Sequence, residues 1–436
     1  MQFSPPARLR ECHIDATDSR GLRETANKLL LGALSLLWVV TFCSIAKAQE
    51  LMTSQEFIGR IGVNVHFMYT DGGYAKLDKS FAALRYMGLS QVRDALPELN
   101  WEGEARYRFA TDNGITFDLF VDGTAKLSTT LARLDQFATH FPGHIDVIEG
   151  PNEINNWPVK YGSLSGTQAA VALQTDLYRA IRSDALLKMV PVYNYTGFPD
   201  AGGQADFTNI HPYSKQGAQP RPELERNLDI YSRLTPGKPV VVTETGYPTL
   251  QGKSSWGGID GVTQAKLTLN LLFDAAALGI RRTYIYQLLD AYPDSTGTEV
   301  DKHLGLFDLQ YQPKPAAHAI HNLTTILKGS AGGNVSAAAV SFTITGLPSS
   351  AKSLSIRRSD GSTVIAIWDE PKIWDSDGLQ PIPHAKVPIA VQFSAPVDMA
   401  YFDPLSSEAP IASARNTAQI QLGLDDRPLL VAVSYH

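Results

Sequence analysis

From Ile58 onward the chain alternates two hydrophobic patterns. Short runs rich in β-branched residues are followed by stretches in which apolar positions recur at helical spacing, the signature of strands alternating with amphipathic helices. Eight runs read as strands: 61–67, 91–96, 115–122, 145–153, 188–194, 207–213, 239–245 and 282–288. Between them lie helices such as Leu77–Met87, where Leu77, Phe81 and Leu84 share a face, and 262–278, stopped at Gly279. The stretch 194–206 is rich in Gly and Pro, leaves room for at most a short helix and makes the fifth unit the weakest. A last helix, 315–327, ends at Gly329. Repeated βα units of this kind imply parallel strands, and the span is near the roughly 250 residues of a TIM barrel. The expectation is a (β/α)8 barrel over 49–328.

After a small-residue linker, 329–338, the period changes to two. Seven short runs at 341–347, 353–358, 363–369, 389–395, 397–403, 418–424 and 429–435 are separated by Gly, Pro, Asp and Ser. They predict a small antiparallel β-sandwich over 339–436.

Composition narrows the function. The net charge of -6 is mild and no run of Lys or Arg is present, so nucleic acid is not an expected partner. Both cysteines, Cys12 and Cys43, lie near the N-terminus; from Ser44 onward there is no thiol for catalysis, metal binding or a disulfide framework. Residues 29–46 are an apolar run preceded by Arg20, Arg23 and Lys28 and followed by Ala46-Lys47-Ala48, which fits a signal peptide cleaved after Ala48. Residues 1–48 are thus expected to direct export to the periplasm or the medium. The run is also long enough to hold the protein in a membrane if uncleaved, and its leader exceeds a usual n-region, so both readings stand. Phe42 sits where a lipoprotein signal has a small residue, which argues against lipid attachment at Cys43.

In a barrel the catalytic groups sit where strands end at the C-terminal face. Two carboxylates close such runs: Glu153 in Gly150-Pro151-Asn152-Glu153 and Glu244 in Thr243-Glu244-Thr245-Gly246-Tyr247. Glu is disfavoured in strands and interiors, so each asks for a reason beyond packing. Glycosidic cleavage through an oxocarbenium-like transition state supplies one, since it needs an acid at the leaving oxygen and a carboxylate at the anomeric carbon. A separation of about 5 to 5.5 Å would give retention of configuration. The acid is then expected to have a raised pKa, and the nucleophile to be kept ionised by donors, for which Arg93 and Tyr213 are the candidates. The chain carries no HExxH, GxSxG or Gly-rich phosphate motif, and no metal or cofactor is expected.

With Asn152-Glu153 after the fourth strand, His211-Pro212-Tyr213 at the sixth and Thr243-Glu244 at the seventh, the chain resembles the clan A glycoside hydrolases, nearest the family 5 and family 39 type. The resemblance covers the barrel and reaches the sandwich. It implies that Glu153 is acid/base and Glu244 nucleophile, that Asn152 bonds the sugar 2-hydroxyl, that Tyr213 orients and Arg93 supports the nucleophile, and that His66 and His211 line the subsite of the cleaved sugar. The residues alone also allow Arg93 as an ion pair of the barrel core and Tyr213 as a packing aromatic.

One departure stands out. Many clan members end strand eight with a Trp platform, whereas this chain has Tyr286-Gln287-Leu288-Leu289-Asp290. Gln287 is then a candidate to bond the sugar, and Trp256, Tyr247 or Tyr292 to supply the aromatic face. Trp157 is a candidate for the leaving-group subsite, or packs on its own helix. In the sandwich, Trp368 and Trp374 are the residues to test for glycan contact, against a buttressing role. The resulting expectation is a retaining hydrolase of a β-linked poly- or oligosaccharide; a transglycosylase and a catalytically idle carbohydrate-binding barrel are the alternatives.

Overall fold

The computed structural model describes residues 51–250, 252, 256–329 and 340–435. The apolar run 29–46, both cysteines, Ser254 and Ser255, and the linker beyond Gly329 lie outside them.

Eight strands form the barrel: β1 (Ile61–Asn64), β2 (Gln91–Ala95), β3 (Thr116–Phe120), β4 (Ile145–Glu149), β5 (Val192–Tyr193), β6 (Thr208–Ile210), β7 (Val240–Thr245) and β8 (Thr283–Ile285). All adjacent pairs are parallel, and a bridge between Tyr193 and Phe207 joins β5 to β6 and closes the ring. The predicted barrel is therefore present, but its ladders are shorter than the apolar runs. The fourth run stops at Glu149 rather than residue 153, and the sixth at Ile210 rather than residue 213. Pro151 and Pro212 each stand two residues beyond these ends, and a residue without an N–H cannot continue a ladder. The catalytic-face residues thereby leave the sheet and turn over the barrel mouth. The fifth strand shrinks to two residues, with Pro191 immediately before it.

Helices cover the outside. Leu77–Met87 ends at Gly88, whose φ of 70° lies in the left-handed region. Gly261–Ala277 starts from Asp260, whose carboxylate accepts the N–H groups of Val262 and Thr263. Pro315–Lys328 begins with Pro at its first position. The stretch 194–206 holds no helix, as its Gly and Pro content foretold.

The C-terminal strands are β9 (Phe342–Thr345), β10 (Lys352–Arg357), β11 (Thr363–Trp368), β12 (Val387–Phe402), β13 (Ala412–Leu424) and β14 (Leu429–Ser434). Two runs read separately in the sequence are one strand, β12. Its register breaks between Gln392 and Val397; the first half pairs with β9 and the second with β14, all antiparallel. The two halves close one core in which Ile389, Val391 and Phe393 meet Val397, Met399, Ile365, Ile367 and Val431. This is the sandwich. A further strand was not foreseen: Met52–Thr53, ahead of the barrel, pairs parallel with Ile356 and Arg357 of β10.

Strand β11 is buried on both faces. Ile365 and Ile367 point into the sandwich, while Val364, Ala366 and Trp368 join the core of the barrel. Trp368 stacks on Phe273 with ring centroids 5.4 Å apart and donates its indole N–H to Asp274 Oδ1 at 3.1 Å. Trp374 is buried with Tyr247, Ile259 and Leu267. Neither Trp368 nor Trp374 can meet a glycan; their apolar rings buttress the barrel. Tyr247 is excluded from the cleft for the same reason, its hydroxyl bonding Ala218 O at 3.1 Å.

Candidate active site

Arg93, pointing inward from β2, organises the floor of the barrel mouth. It is 1 % exposed, and all five of its N–H donors are taken. Nε and Nη2 bond Glu149 at 2.8 and 2.7 Å. Nη1 bonds Asn64 at 3.0 Å and Glu244 Oε1 at 2.5 Å, and Nη2 bonds Asn152 Oδ1 at 2.7 Å. Phe120 lies under the guanidinium at 4.5 Å. Arg93 is thus both the core ion pair and the support of Glu244, two roles that the sequence left as alternatives.

Glu244 is near the end of β7. Its Oε1 accepts from Arg93, and its Oε2 accepts from the Tyr213 hydroxyl at 3.0 Å. Burial and the charge of Glu244 raise the Tyr213 phenol well above its ordinary value, so it stays a donor. Its ring meets Trp256 edge-on at 5.0 Å.

Glu153 sits four residues past β4 with φ of 40°, a conformation a non-glycine residue holds only when its surroundings impose it. The imposition is visible: Glu153 N–H donates to Thr196 Oγ1 at 2.8 Å, Ile154 N–H to Thr196 O at 2.8 Å, and Thr196 N–H to Pro151 O at 3.1 Å. Its Oε2 accepts from Asn156 Nδ2 at 2.9 Å and its Oε1 lies 3.0 Å from His211 Nδ1. With His211 as donor at that contact, the hydrogen bond pulls the Glu153 carboxyl down to about 2, against the opposing effect of burial. This is opposite to the raised value expected of an acid. One oxygen of Glu153, one nitrogen of His211 and one oxygen of Glu244 all lie within 4.8 Å of one another.

Arg93, Glu153, Tyr213 and Glu244 line a cleft of about 840 Å³ that also takes in His66, Asn152, Trp157, Trp256, Tyr286 and Asp301, whereas His211, expected in the same subsite, lines an adjoining cavity that shares Glu153, Tyr213 and Trp256 with it. His66 stacks on Tyr69 at 4.6 Å, and burial lowers its pKa to about 4; at neutral pH it faces the cleft uncharged. Asn152 has its oxygen committed to Arg93, which leaves its amide NH2 for a ligand. Trp157 is 70 % exposed on the rim, with no packing on its own helix to absorb it. Gln287 does not take part: it is 2 % exposed and accepts from Tyr74 at 3.1 Å, beneath the cleft wall. Tyr286, one residue earlier, is the cleft aromatic at the end of β8. Tyr292 is held aside by a 2.7 Å bond to Asp71.

Sequence reasoning missed the layer below. Glu149, Asn64, Thr243, Asn209 and Asp118 are all buried polar residues of barrel strands. Burial and the charge of Glu149 push the Asp118 carboxyl well above the usual carboxylate range. Asp94, also unforeseen, is pushed up to about 7 by burial and accepts from Tyr107 at 2.7 Å and from Phe67 N–H at 3.1 Å. The rule that singled out Glu153 and Glu244, a carboxylate inside an apolar run, applies equally to Glu149 in IDVIE and Asp118 in TFDLF.

No family model and no curated protein sequence matches the chain. Solved structures do. A glucosidase from Croceicoccus marinus aligns with a TM-score of 0.54 at 9 % identity, over 82 % of this chain and 91 % of its own. A family 51 α-L-arabinofuranosidase from Bifidobacterium longum aligns with a TM-score of 0.54 at 12 % identity, over 89 % of this chain and 98 % of its own. A family 17 β-1,3-glucanosyltransferase from Rhizomucor miehei gives 0.47 at 16 % identity, over 60 % of this chain and 97 % of its own. At these identities the likeness is one of fold, and the fold is the barrel that the clan A resemblance implied.

Proposed function

We propose that the protein is a retaining glycoside hydrolase that cleaves O-glycosidic bonds, β-linked on the resemblance, of a poly- or oligosaccharide. The observation that carries the proposal is the carboxylate pair: Glu153 and Glu244 oxygens lie within 4.8 Å of one another, in a cleft wide enough for several sugar rings. That spacing of the nearer oxygens supports direct attack over the wider separation that inverting enzymes need for an intervening water. The shared fold with a glucosidase and an arabinofuranosidase supports glycosidic chemistry.

In this reading Glu244, aligned by Arg93 and Tyr213, attacks the anomeric carbon as the glycosidic C–O bond breaks, and Glu153 gives its proton to the departing oxygen. The Glu153 carboxylate then takes a proton from water as that water displaces Glu244, so each group ends as it began. Asn152 and His66 face the sugar in the cleaved subsite, His211 meets Glu153 from the adjoining cavity, Tyr286 and Trp256 supply aromatic surface, and Trp157 stands at the rim as a further sugar contact. Export through residues 1–48 belongs to the same proposal; membrane retention by an uncleaved 29–46 is its alternative, and cell fractionation with N-terminal sequencing separates the two.

The test is to assay parent, Glu153→Gln and Glu244→Gln proteins on β-linked glycans and aryl glycosides, following the anomer by proton NMR. Release of the retained anomer by the parent alone supports the proposal. An inverted first product, or full activity in either variant, refutes it. Binding without turnover by the parent favours the carbohydrate-binding alternative, and transfer products in place of hydrolysis favour the transglycosylase.

A further inference from the structure

The contact between Glu153 and His211 leaves open which atom carries the proton, and a chain of hydrogen bonds running away from it answers. Asn194 O, a backbone carbonyl, can only accept. Asn209 Nδ2 donates to it at 3.3 Å, which turns Asn209 Oδ1 toward Thr243 Oγ1 at 2.8 Å. A second acceptor, Glu149 Oε1, lies 3.3 Å from the same hydroxyl. A hydroxyl has one hydrogen, and both of these neighbours claim it. Thr243 Oγ1 therefore has only lone pairs to offer His211 Nε2 at 2.9 Å, and Nε2 must carry the hydrogen there. A neutral imidazole has one N–H, so in the neutral state of His211 Nδ1 is bare. Two lone pairs do not face each other at 3.0 Å without a proton between them.

We infer that Thr243 and Asn209 are positioning residues that fix the Nε2–H tautomer of His211, whose bare Nδ1 holds Glu153 in its proton-bearing form. This rests on the reading of Glu153 as the acid. The low affinity of Glu153 for protons described above belongs to an Nδ1–H donor, and the chain removes that donor. Once the proton has gone to the leaving oxygen, the carboxylate faces a lone pair and recaptures a proton from the incoming water readily. Other charged groups around the pair do not all act in one direction, and the charge of Arg93 opposes a proton on Glu153. Glu244 Oε2 is 3.8 Å from Nδ1 and favours a proton between His211 and Glu153; Asp301, on the cleft wall, adds negative charge. Arg93 is saturated by Glu149 and Glu244, the Tyr213 hydroxyl is directed at Glu244, and Arg226 is paired with Glu223 across the adjoining cavity, where Lys215 lies over the Trp256 ring.

The experiment is nitrogen NMR of the full protein labelled at histidine, near neutral pH, with the His211 signals assigned by difference from His211→Asn. The expected parent spectrum shows neutral His211 with hydrogen on Nε2. In Thr243→Val, nearly the same shape without the hydroxyl, the hydrogen moves to Nδ1 and the alkaline limb of kcat/KM shifts down by about one pH unit, the tenfold effect of one hydrogen bond. Thr243→Ser restores the parent tautomer. A hydrogen on Nδ1 of the parent, alone or together with one on Nε2, overturns the inference, as does an unchanged tautomer in Thr243→Val. The parent spectrum decides even if the valine variant does not fold, and it is recorded without substrate, so its outcome is independent of the Glu153→Gln and Glu244→Gln assays.

Discussion

Replacing Glu149 by Gln tests the floor of the site with the smallest change of shape. Both carboxylate oxygens of Glu149 accept from Arg93, at 2.8 and 2.7 Å, and both side chains are essentially sealed from water. In the amide, one acceptor becomes an NH2 group pointed at a guanidinium N–H, whichever way the amide is turned. Breaking a buried pair from one side costs about 3–5 kcal/mol, because the remaining charge stays in the interior. The Asp118 carboxyl is raised first by burial and only then by the charge of Glu149; burial is unchanged in the variant, so Asp118 is not expected to take over the lost charge and a loss of about 3–5 kcal/mol follows. Urea unfolding at unchanged slope reads this directly. Activity should fall further than stability suggests, by about a hundredfold in kcat/KM, since Arg93 sets the positions of both Glu244 and Asn152 and a misplacement of about 1 Å has that effect. A stability loss under about 1 kcal/mol, the level of a surface pair, would show that Glu149 does not anchor Arg93, and the account of the site would fall with it.

Removing the Tyr213 hydroxyl in Tyr213→Phe deletes a 3.0 Å bond to Glu244; kcat/KM on aryl glycosides should drop by about 10- to 100-fold, the worth of a hydrogen bond to a charged group, and an unchanged value would make Tyr213 a packing aromatic. Asp274, beneath the sandwich, is raised to about 9 by burial and then by Glu370. Between its unfolded value near 4 and that higher value the folded protein holds a proton that the unfolded chain releases, so stability declines as pH rises across this window. Asp274→Asn should lessen the decline, seen as a smaller difference between urea midpoints at about pH 5 and about pH 8, and equal differences in parent and variant would refute the assignment. Thr53→Ala removes the side-chain cap of the helix Ser54–Gly59, where Thr53 Oγ1 accepts Glu56 N–H at 3.0 Å; a loss of about 1 kcal/mol in thermal unfolding is expected, and none at all would mean that the cap is replaced by water.

The barrel was legible because its signal is periodic and repeated: each strand announces itself through β-branched residues buried on both sides, and each helix through one apolar face. What the sequence could not show was where a ladder stops. Pro151 and Pro212 mark those ends in retrospect, but only the structure shows Glu153 thrown out of β4 into a left-handed conformation held by Thr196. The two central carboxylates were legible because a Glu inside an apolar run is conspicuous. The same reasoning applied to Glu149 and Asp118 would have recovered the lower layer, whereas Thr243 and Asn209 give no such signal, since Thr and Asn are unremarkable there and matter only through the direction of their hydrogen bonds. Gln287 was misplaced by one residue: both residues lie just past the end of β8, and there the side chain that faces the cleft is that of Tyr286. Trp368 and Trp374 were ambiguous in the sequence because a ring suited to sugar stacking is equally suited to a buried seam.

That seam bears on how the chain can be cut and inherited. Strand β11 serves two cores at once, with Trp368 lying on Phe273 of the barrel's outer helix, and the first described strand, Met52–Thr53, is already part of the C-terminal sheet. A chain ended at Gly329 would uncover Phe273, which Trp368 covers, and leave Met52–Thr53 without its partner, an invitation to aggregate. The sandwich is therefore no detachable appendage that could be exchanged between enzymes as a module; barrel and sheet are to be expressed, mutated and compared among relatives as one folding unit.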